Sequence, residues 1–406
     1  MTDLRLGGAE NAPADAIEQL EALSENVDHY DPMFLNNRVE MFRILHGQQC
    51  PVRHSTNHDG YWFVSGYREA AEVQRRMEDF SNKQKVVPRR EVPKLIPAGL
   101  DSPEHRPIKV ALAKLFTPGA TAEMKGALAE ACSQLMDQCV EGGSFDVVQD
   151  LMFPLMARFT MGYMLGLDPA RAPEYARPIH NMSRRDCPPE TIKRELAALA
   201  DEFRTIIGEK RYDPGSMLAR IAALEINGET FSVDDLVKVA FNLLIGGFGT
   251  TAAFTGSVFV FLARNPDLRQ QLIDTPSIIP GAIDELLRLF TPTQTFARRV
   301  DRDTQLCGFD MKEGDQLLMG YGAANFDPRI FENPEEVDFR RSPNQHMSFG
   351  TGPHRCLGEN VARSILREVL TLMVERIPNY ELVEDGVVAQ SFSSSMFGYS
   401  NVKIRF

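Results

Sequence analysis

This 406-residue sequence predicts a mainly α-helical single domain with a small β portion. Three observations carry that expectation. From Glu104 onward, apolar residues recur at helical spacing in segment after segment. Residues 239–263, between Lys238 and Arg264, contain no charge, as the helix at the heart of a large core would. No repeat, low-complexity tract or linker divides the chain, although two or three domains would fit its length at about 150 residues each.

Taken in order, residues 1–30 are polar and rich in Ala and Glu, and read as an extension to a domain spanning 31–406. Asn57-His58-Asp59-Gly60 signals a turn, and Tyr61-Trp62-Phe63-Val64-Ser65 a hairpin strand after it. A helix is expected over 68–76. Residues 82–104 hold Pro88, Pro93, Pro97 and Pro103 without a period, which predicts a long loop of the kind that carries function. Ile108, Ala111, Leu112 and Leu115 share a helical face that ends at Thr117-Pro118-Gly119. Helices follow over 122–140, 149–165 and 191–211. Ser232 and Asp235 make a capping-box start for the uncharged helix. A helix over 280–290 stops at Thr291-Pro292, short strands are expected at 306–309 and 316–319, and a helix over 355–376 closes the helical part.

Composition sets limits on function. Lys+Arg 44 against Asp+Glu 56 leaves a net charge of −12, which argues against a nucleic-acid partner. The cysteines Cys50, Cys132, Cys139, Cys187, Cys307 and Cys356 form no C-x-x-C pair, and no charged-then-apolar leader opens the chain. A cytoplasmic protein with reduced thiols is the expectation, and a disulfide scaffold is excluded. The uncharged run is long enough to cross a bilayer at about 1.5 Å per residue. Yet Asn242, Gly246, Gly247, Gly249, Thr250 and Thr251 crowd its middle, which fits a buried helix better than a membrane span.

The densest chemical signal is Phe349-Gly350-Thr351-Gly352-Pro353-His354-Arg355-Cys356-Leu357-Gly358. A helix N-terminus just after a cysteine offers free N–H groups and the positive dipole end, and both stabilise a thiolate. Glycines let backbone amides approach a large planar ligand and the sulfur. Such a sulfur is a metal ligand or a nucleophile.

Phe-Gly-x-Gly-x-His-x-Cys-x-Gly resembles the haem-binding signature of the cytochrome P-450 superfamily, haem-thiolate monooxygenases, at every fixed position. Arg341-Ser342-Pro343-Asn344-Gln345-His346 and Ala362-Arg363 extend the likeness in the manner of bacterial members. Glu285-Leu286-Leu287-Arg288 matches the family's Glu-x-x-Arg, and the resemblance makes Arg341 the third member of a buried pairing. It implies the fold of that family over residues 31–406, with haem b between the long central helix and the cysteine-loop helix.

The resemblance makes Cys356 the iron ligand, in a setting formed with Phe349 and Gly358; thiolate ligation favours O–O cleavage. It gives His354, Arg298, His105 and Lys109 to the two haem carboxylates, which need cations or donors when buried. Lys109 departs from the usual arginine and loses the bidentate fork. Gly246-Gly247-Phe248-Gly249-Thr250-Thr251 matches the oxygen-binding segment, with Thr250 the hydroxyl that hydrogen-bonds oxygen and routes protons. An acid normally precedes that threonine, and here it is Gly249, so relay falls to water, Thr251 or a substrate group. By family position, Val87, Leu95, Leu243, Gly247, Thr295, Met396 and Phe397 line the substrate pocket, with Val86 and Ile96 beside them.

The implied activity is hydroxylation or other oxidation of a compact hydrophobic molecule such as a monoterpenoid. It would use O2 and electrons from NAD(P)H through a reductase and ferredoxin. Arg106, Lys109, Lys114 and Arg355 offer a docking patch for that ferredoxin on an otherwise acidic monomer without membrane or nucleic-acid partners. Lys85, Arg89, Arg90 and Lys94 allow an alternative, oxidation or demethylation of an aromatic acid. The missing acid before Thr250 allows a peroxide-driven haem-thiolate enzyme. A non-enzymatic haem or ligand-binding protein is the remaining class, opposed by the complete cysteine loop and the threonine.

Overall fold

The computed structural model describes residues 14–90, 93–184, 187–389 and 395–406. They fall into two compact units between which the chain passes repeatedly. One comprises the described parts of Met1–Glu91, Val260–Cys356 and Ser394–Phe397; the other those of Val92–Phe259, Leu357–Ser393 and Gly398–Phe406.

The first unit is built on a five-stranded sheet in the order Val52–Ser55, Tyr61–Val64, Gln316–Gly320, Thr295–Val300, Phe80–Ser81. Pairing is antiparallel except between Gln316–Gly320 and Tyr61–Val64, where Leu318 stands beside Phe63. The Asn57–Gly60 signal becomes a turn with His58, Asp59 and Gly60 all at positive φ, and it joins the first two strands. Val52, Val64, Val73, Phe80, Met319 and Met347 are buried in one apolar cluster. The sequence reading missed Thr295–Val300, because Arg298 and Arg299 break its apolar alternation. The strand expected at 306–309 is corrected: Cys307-Gly308 is a two-residue turn between Thr304–Leu306 and Phe309–Met311, with Leu306 opposite Phe309.

The described residues before 31 belong to the first unit. Ala14–Glu25 is a helix that buries Ala16 and Leu20. The segment after it is tied in by polar bonds: Thr56 N–H donates to Asn26 Oδ1 at 2.8 Å and the Tyr61 hydroxyl to the Val27 carbonyl at 2.6 Å. An Ala/Glu-rich stretch reads as solvated because its few apolar residues are spaced for one narrow stripe.

The second unit is mainly helical. It contains His105–Ala113, Ala122–Val140, a helical stretch over Val147–Leu165 that is π-wound at both ends, Ala172–Ser183, Pro189–Gly208 and Glu359–Arg376. Asp146 Oδ1 starts the 147–165 stretch by accepting from the Val148 and Gln149 amides. Arg376 ties Glu359–Arg376 to Ala122–Val140 through Ser133 and Asp137. The closing helix starts at Glu359 and not at 355, which leaves Cys356 in the loop before it. A three-stranded antiparallel sheet of Glu381–Ala389, Tyr399–Arg405 and Ser144–Asp146 was not expected, since Glu384-Asp385-Gly386 reads as a turn.

The uncharged run lies in the helix Val233–Arg264, started by the foreseen cap: Asp235 N–H donates to Ser232 Oγ at 3.1 Å, and Ser232 Oγ to the Asp235 carboxylate at 2.7 Å. This helix has the length and hydropathy of a membrane span, and 67% of its apolar window is buried within the protein.

Candidate active site

In the first unit, the loop before Cys356 is pinned from below. Met347 N–H donates to Asn325 Oδ1 at 2.6 Å, and Ser348 Oγ to the Leu287 carbonyl at 2.6 Å. Gly350 and Gly352 take φ of 69° and 62°, where an L side chain is strained. A Cβ on either would also crowd Gln74, at 3.1 Å from its Oε1 and 3.2 Å from its carbonyl oxygen respectively. Gln74 in turn accepts the Thr351 N–H at 2.7 Å. The loop closes on itself where Cys356 N–H donates to the Phe349 carbonyl at 2.9 Å. The backbone is therefore fixed while the Cys356 thiol is exposed. Thr351 Oγ1 is buried with no hydrogen-bond partner among the described residues.

Arg298, on the strand Thr295–Val300, is 3% exposed. Its Nη1 donates to the Ala297 carbonyl, and the guanidinium also bonds the Tyr321 hydroxyl. Burial raises the Tyr321 pKa and the Arg298 charge partly opposes it. His354 is half-buried in the cysteine loop.

Below that loop, Glu285 and Arg288 are both fully buried. Arg288 Nε and Nη2 meet the two carboxylate oxygens at 2.9 and 2.8 Å. Arg341 Nε bridges the same oxygens at 3.1 and 3.2 Å, and Asn344 Nδ2 and the Asp338 amide add bonds at 3.1 Å each. Burial pushes the Glu285 pKa up, but these donors outweigh it and the net direction is down. The remaining guanidinium hydrogens reach the carbonyls of Asn325, Pro334 and Glu336. The network thus clamps the segment 325–341, which leads into the cysteine loop.

In the second unit, Leu243, Gly246 and Thr250 follow one stripe of the long helix. Gly246 has open space where a side chain would stand, and Thr250 Oγ1 donates to the Gly246 carbonyl at 3.4 Å. Gly249 and Thr251 are half-buried, and the Thr251 carbonyl is taken by Thr255 Oγ1. Gly247 stands differently from Gly246. It is buried against Thr160, whose hydroxyl fills the space a Cβ would need, so Gly247 serves close packing and Gly246 opens the face. His105 is 1% exposed at the first turn of His105–Ala113, with Lys109 half-buried one turn later on the same face.

Of the expected substrate contacts in the first unit, Val87 is 1% exposed and its carbonyl lies 3.0 Å from His29 Nε2, while His29 Nδ1 lies 3.0 Å from the Tyr61 hydroxyl. Thr295 is 5% exposed and pairs with Gly320. Met396 bridges to Thr293, and Phe397 stacks on Phe290 with its N–H on the Pro292 carbonyl. Leu95 and Leu243, in the second unit, are half-buried. Arg89, Arg90 and Lys94 are exposed, as solvated side chains are. Sequence reasoning missed Gln74, Thr160, His29 and Arg38; each is a lone polar residue whose role appears only with its neighbours.

These residues suit a haem. They offer an exposed thiol on a rigid loop, buried donors for carboxylates in Arg298 and His105, and an open small-residue face beside a hydroxyl. A sequence profile described as "Cytochrome P450" matches residues 278–397. Steroid C26-monooxygenase of Mycobacterium tuberculosis is 31% identical over 375 residues, 89% of this chain and 92% of that protein. Nocardicin C N-oxygenase of Nocardia uniformis is 28% identical over 369 residues, 87% of this chain and 88% of that one. Among solved structures, CYP101J2 superimposes with a TM-score of 0.83 at 23% identity, covering 98% of this chain and 99% of that one. The cytochrome P450 PksS of Bacillus subtilis superimposes with a TM-score of 0.82 at 23% identity, covering 93% and 99%. With a relative so alike along almost the whole length, and a cysteine loop built as described, the chain belongs to the cytochrome P450 family and is a haem-iron monooxygenase.

Proposed function

We propose that this enzyme transfers one atom of O2 to a compact hydrophobic substrate such as a monoterpenoid. It would act in the cytoplasm as a monomer carrying haem b, with electrons from NAD(P)H delivered by a reductase and ferredoxin. The exposed Cys356 thiol, on a loop whose own amide is already spent on Phe349, is the observation that carries this reading. Cys356 holds the iron; His354, Arg298, His105 and Lys109 hold the carboxylates. Haem bound there supplies activation of O2, one atom leaving as water. Thr250 holds a proton at Oγ1 and releases it on rotating away from the Gly246 carbonyl. With Gly249 in place of an acid, the next protein hydroxyl is that of Thr251, and water completes the relay.

Turnover with ferredoxin under labelled O2 should place one labelled atom in the product, whereas a peroxide-driven enzyme would give product only with added peroxide. Gly249→Asp should raise product formed per NAD(P)H by at least about twofold, since a positioned acid aids proton transfer. Unchanged coupling would show that water alone suffices.

A second reading, an acid as substrate, is favoured by Arg38. This residue opens the helix Arg38–Gly47 with its guanidinium 4.6 Å over the Phe397 ring. Its Nη1 is buried without a hydrogen-bond partner, and it makes no ion pair among the described residues. Burial pulls its pKa down to about 10. A cation at a helix N-terminus also opposes the dipole. A carboxylate on the substrate would relieve all three penalties. Substrate-induced spectral titration should show Arg38→Gln weakening a carboxylic acid roughly 10- to 100-fold while leaving its methyl ester unchanged. Equal losses for acid and ester would leave the hydrophobic reading alone.

A further inference from the structure

Two cysteines outside the haem site meet in the first unit. Cys50 precedes the strand Val52–Ser55, and Cys307 occupies the turn between Thr304–Leu306 and Phe309–Met311. Their sulfurs are 3.3 Å apart although 257 positions separate them in the chain. A disulfide needs about 2.05 Å, so closure asks for a movement of only about 1.3 Å.

The backbone gives a second, independent indication. Cys307 and Gly308 take φ of 51° and 81°, the pair of left-handed residues a two-residue hairpin turn demands. Asparagine or glycine suits the first of these positions, and a cysteine is strained there. The turn gains nothing from this residue; what the position supplies is a sulfur beside Cys50. Cys307 is exposed and Cys50 half-buried, so a small oxidant can reach them. Cys132 differs: it is buried, and that burial pushes its thiol up to about 12, out of reactive range.

We propose that Cys50 and Cys307 are a modification site, forming a reversible intramolecular disulfide on exposure to hydrogen peroxide. A hydrogen bond joins the two sulfurs, and either can donate it; burial and this contact push the Cys307 thiol up to about 11. Cys50, which lies outside the strained turn, attacks peroxide first in this scheme. It breaks the O–O bond, becomes a sulfenic acid and releases one water. Cys307 then loses its proton, attacks the Cys50 sulfur and displaces the hydroxyl as a second water. The two thiols lose two electrons and two protons in total, and peroxide is reduced to two waters. The bond ties the start of the edge strand Val52–Ser55 to the 304–311 hairpin, which the neighbouring strand Tyr61–Val64 already meets through the Trp62 and Phe309 rings at 5.5 Å.

The test is peptide mapping of the haem-loaded, full-length enzyme after brief treatment with hydrogen peroxide and blocking of remaining thiols. A cross-linked Cys50–Cys307 peptide about 2 Da lighter than the two thiol peptides is expected, reversed by dithiothreitol. Cys307→Asn, which suits the turn and should fold at least as well, should stop the reaction at a Cys50 sulfenic acid trapped by a dione reagent. Oxidised wild type should also unfold at a higher temperature than reduced wild type, with no such difference in Cys307→Asn. Both thiols remaining open to blocking after peroxide, or oxidation of other cysteines while this pair stays reduced, would overturn the proposal.

Discussion

Cys356→Ala should abolish the thiolate-type band of the reduced, carbon-monoxide-bound enzyme and lower NAD(P)H-driven product formation by well over about 100-fold. Losing a mere partner of a metal ligand costs roughly 10- to 100-fold, and here the ligand itself is removed. The loss should be chemical and not structural. The bond from the residue 356 amide to the Phe349 carbonyl belongs to the backbone, and the glycine contacts with Gln74 do not involve the sulfur. Far-ultraviolet circular dichroism should match wild type. A retained thiolate band in the alanine variant would assign the ligand elsewhere and remove the basis of the proposed function.

Glu285→Gln should be the most damaging change away from the haem. It removes the only acid that, among the described residues, bonds the fully buried Arg288, and turns an amide toward two guanidinium groups. Breaking a buried pair from one side costs about 3–5 kcal/mol, because the remaining charge is left without compensation. Denaturant melts should read that difference at pH 7, and the clamp on 325–341 should loosen with it, so that haem is lost more readily. The pH dependence separates charge from packing. The folded carboxyl titrates below its unfolded value of about 4.5. Its stabilisation is therefore complete above that pH and fades as pH falls through the folded pKa. The gap between wild type and variant should be constant from pH 7 to about pH 5 and narrow below pH 4.5. A gap that stays constant into acid would mean that the effect is packing.

Much of this protein is legible in its sequence where the physics is local. The Ser232 cap, the Asn57–Gly60 turn and the glycines around Thr351 depend on residues near one another in the chain. Each was read at its place. The strand Thr295–Val300 and the sheet of Glu381–Ala389 were missed, since a strand is stabilised by neighbours that lie far away in sequence and can carry charged residues once paired. The helix Ala14–Glu25 was missed for a related reason: its narrow apolar stripe gains meaning only when another surface buries it.

The candidate site divides in the same way. Sequence alone singled out Cys356, because loop glycines before a helix are a property of a short segment, while Thr250 and the anomaly at Gly249 came from the resemblance to the cytochrome P-450 superfamily. The sequence also paired Glu285 with Arg288 by helical spacing. Tertiary structure decided that Gly246 opens the helix face while Gly247 is filled by Thr160, that Gln74 braces the cysteine loop, and that His29 meets the Val87 carbonyl. It decided, too, that Arg38 lies over Phe397 and Cys50 beside Cys307. Packing, desolvation and the approach of two side chains depend on distance in space, which the order of residues does not contain.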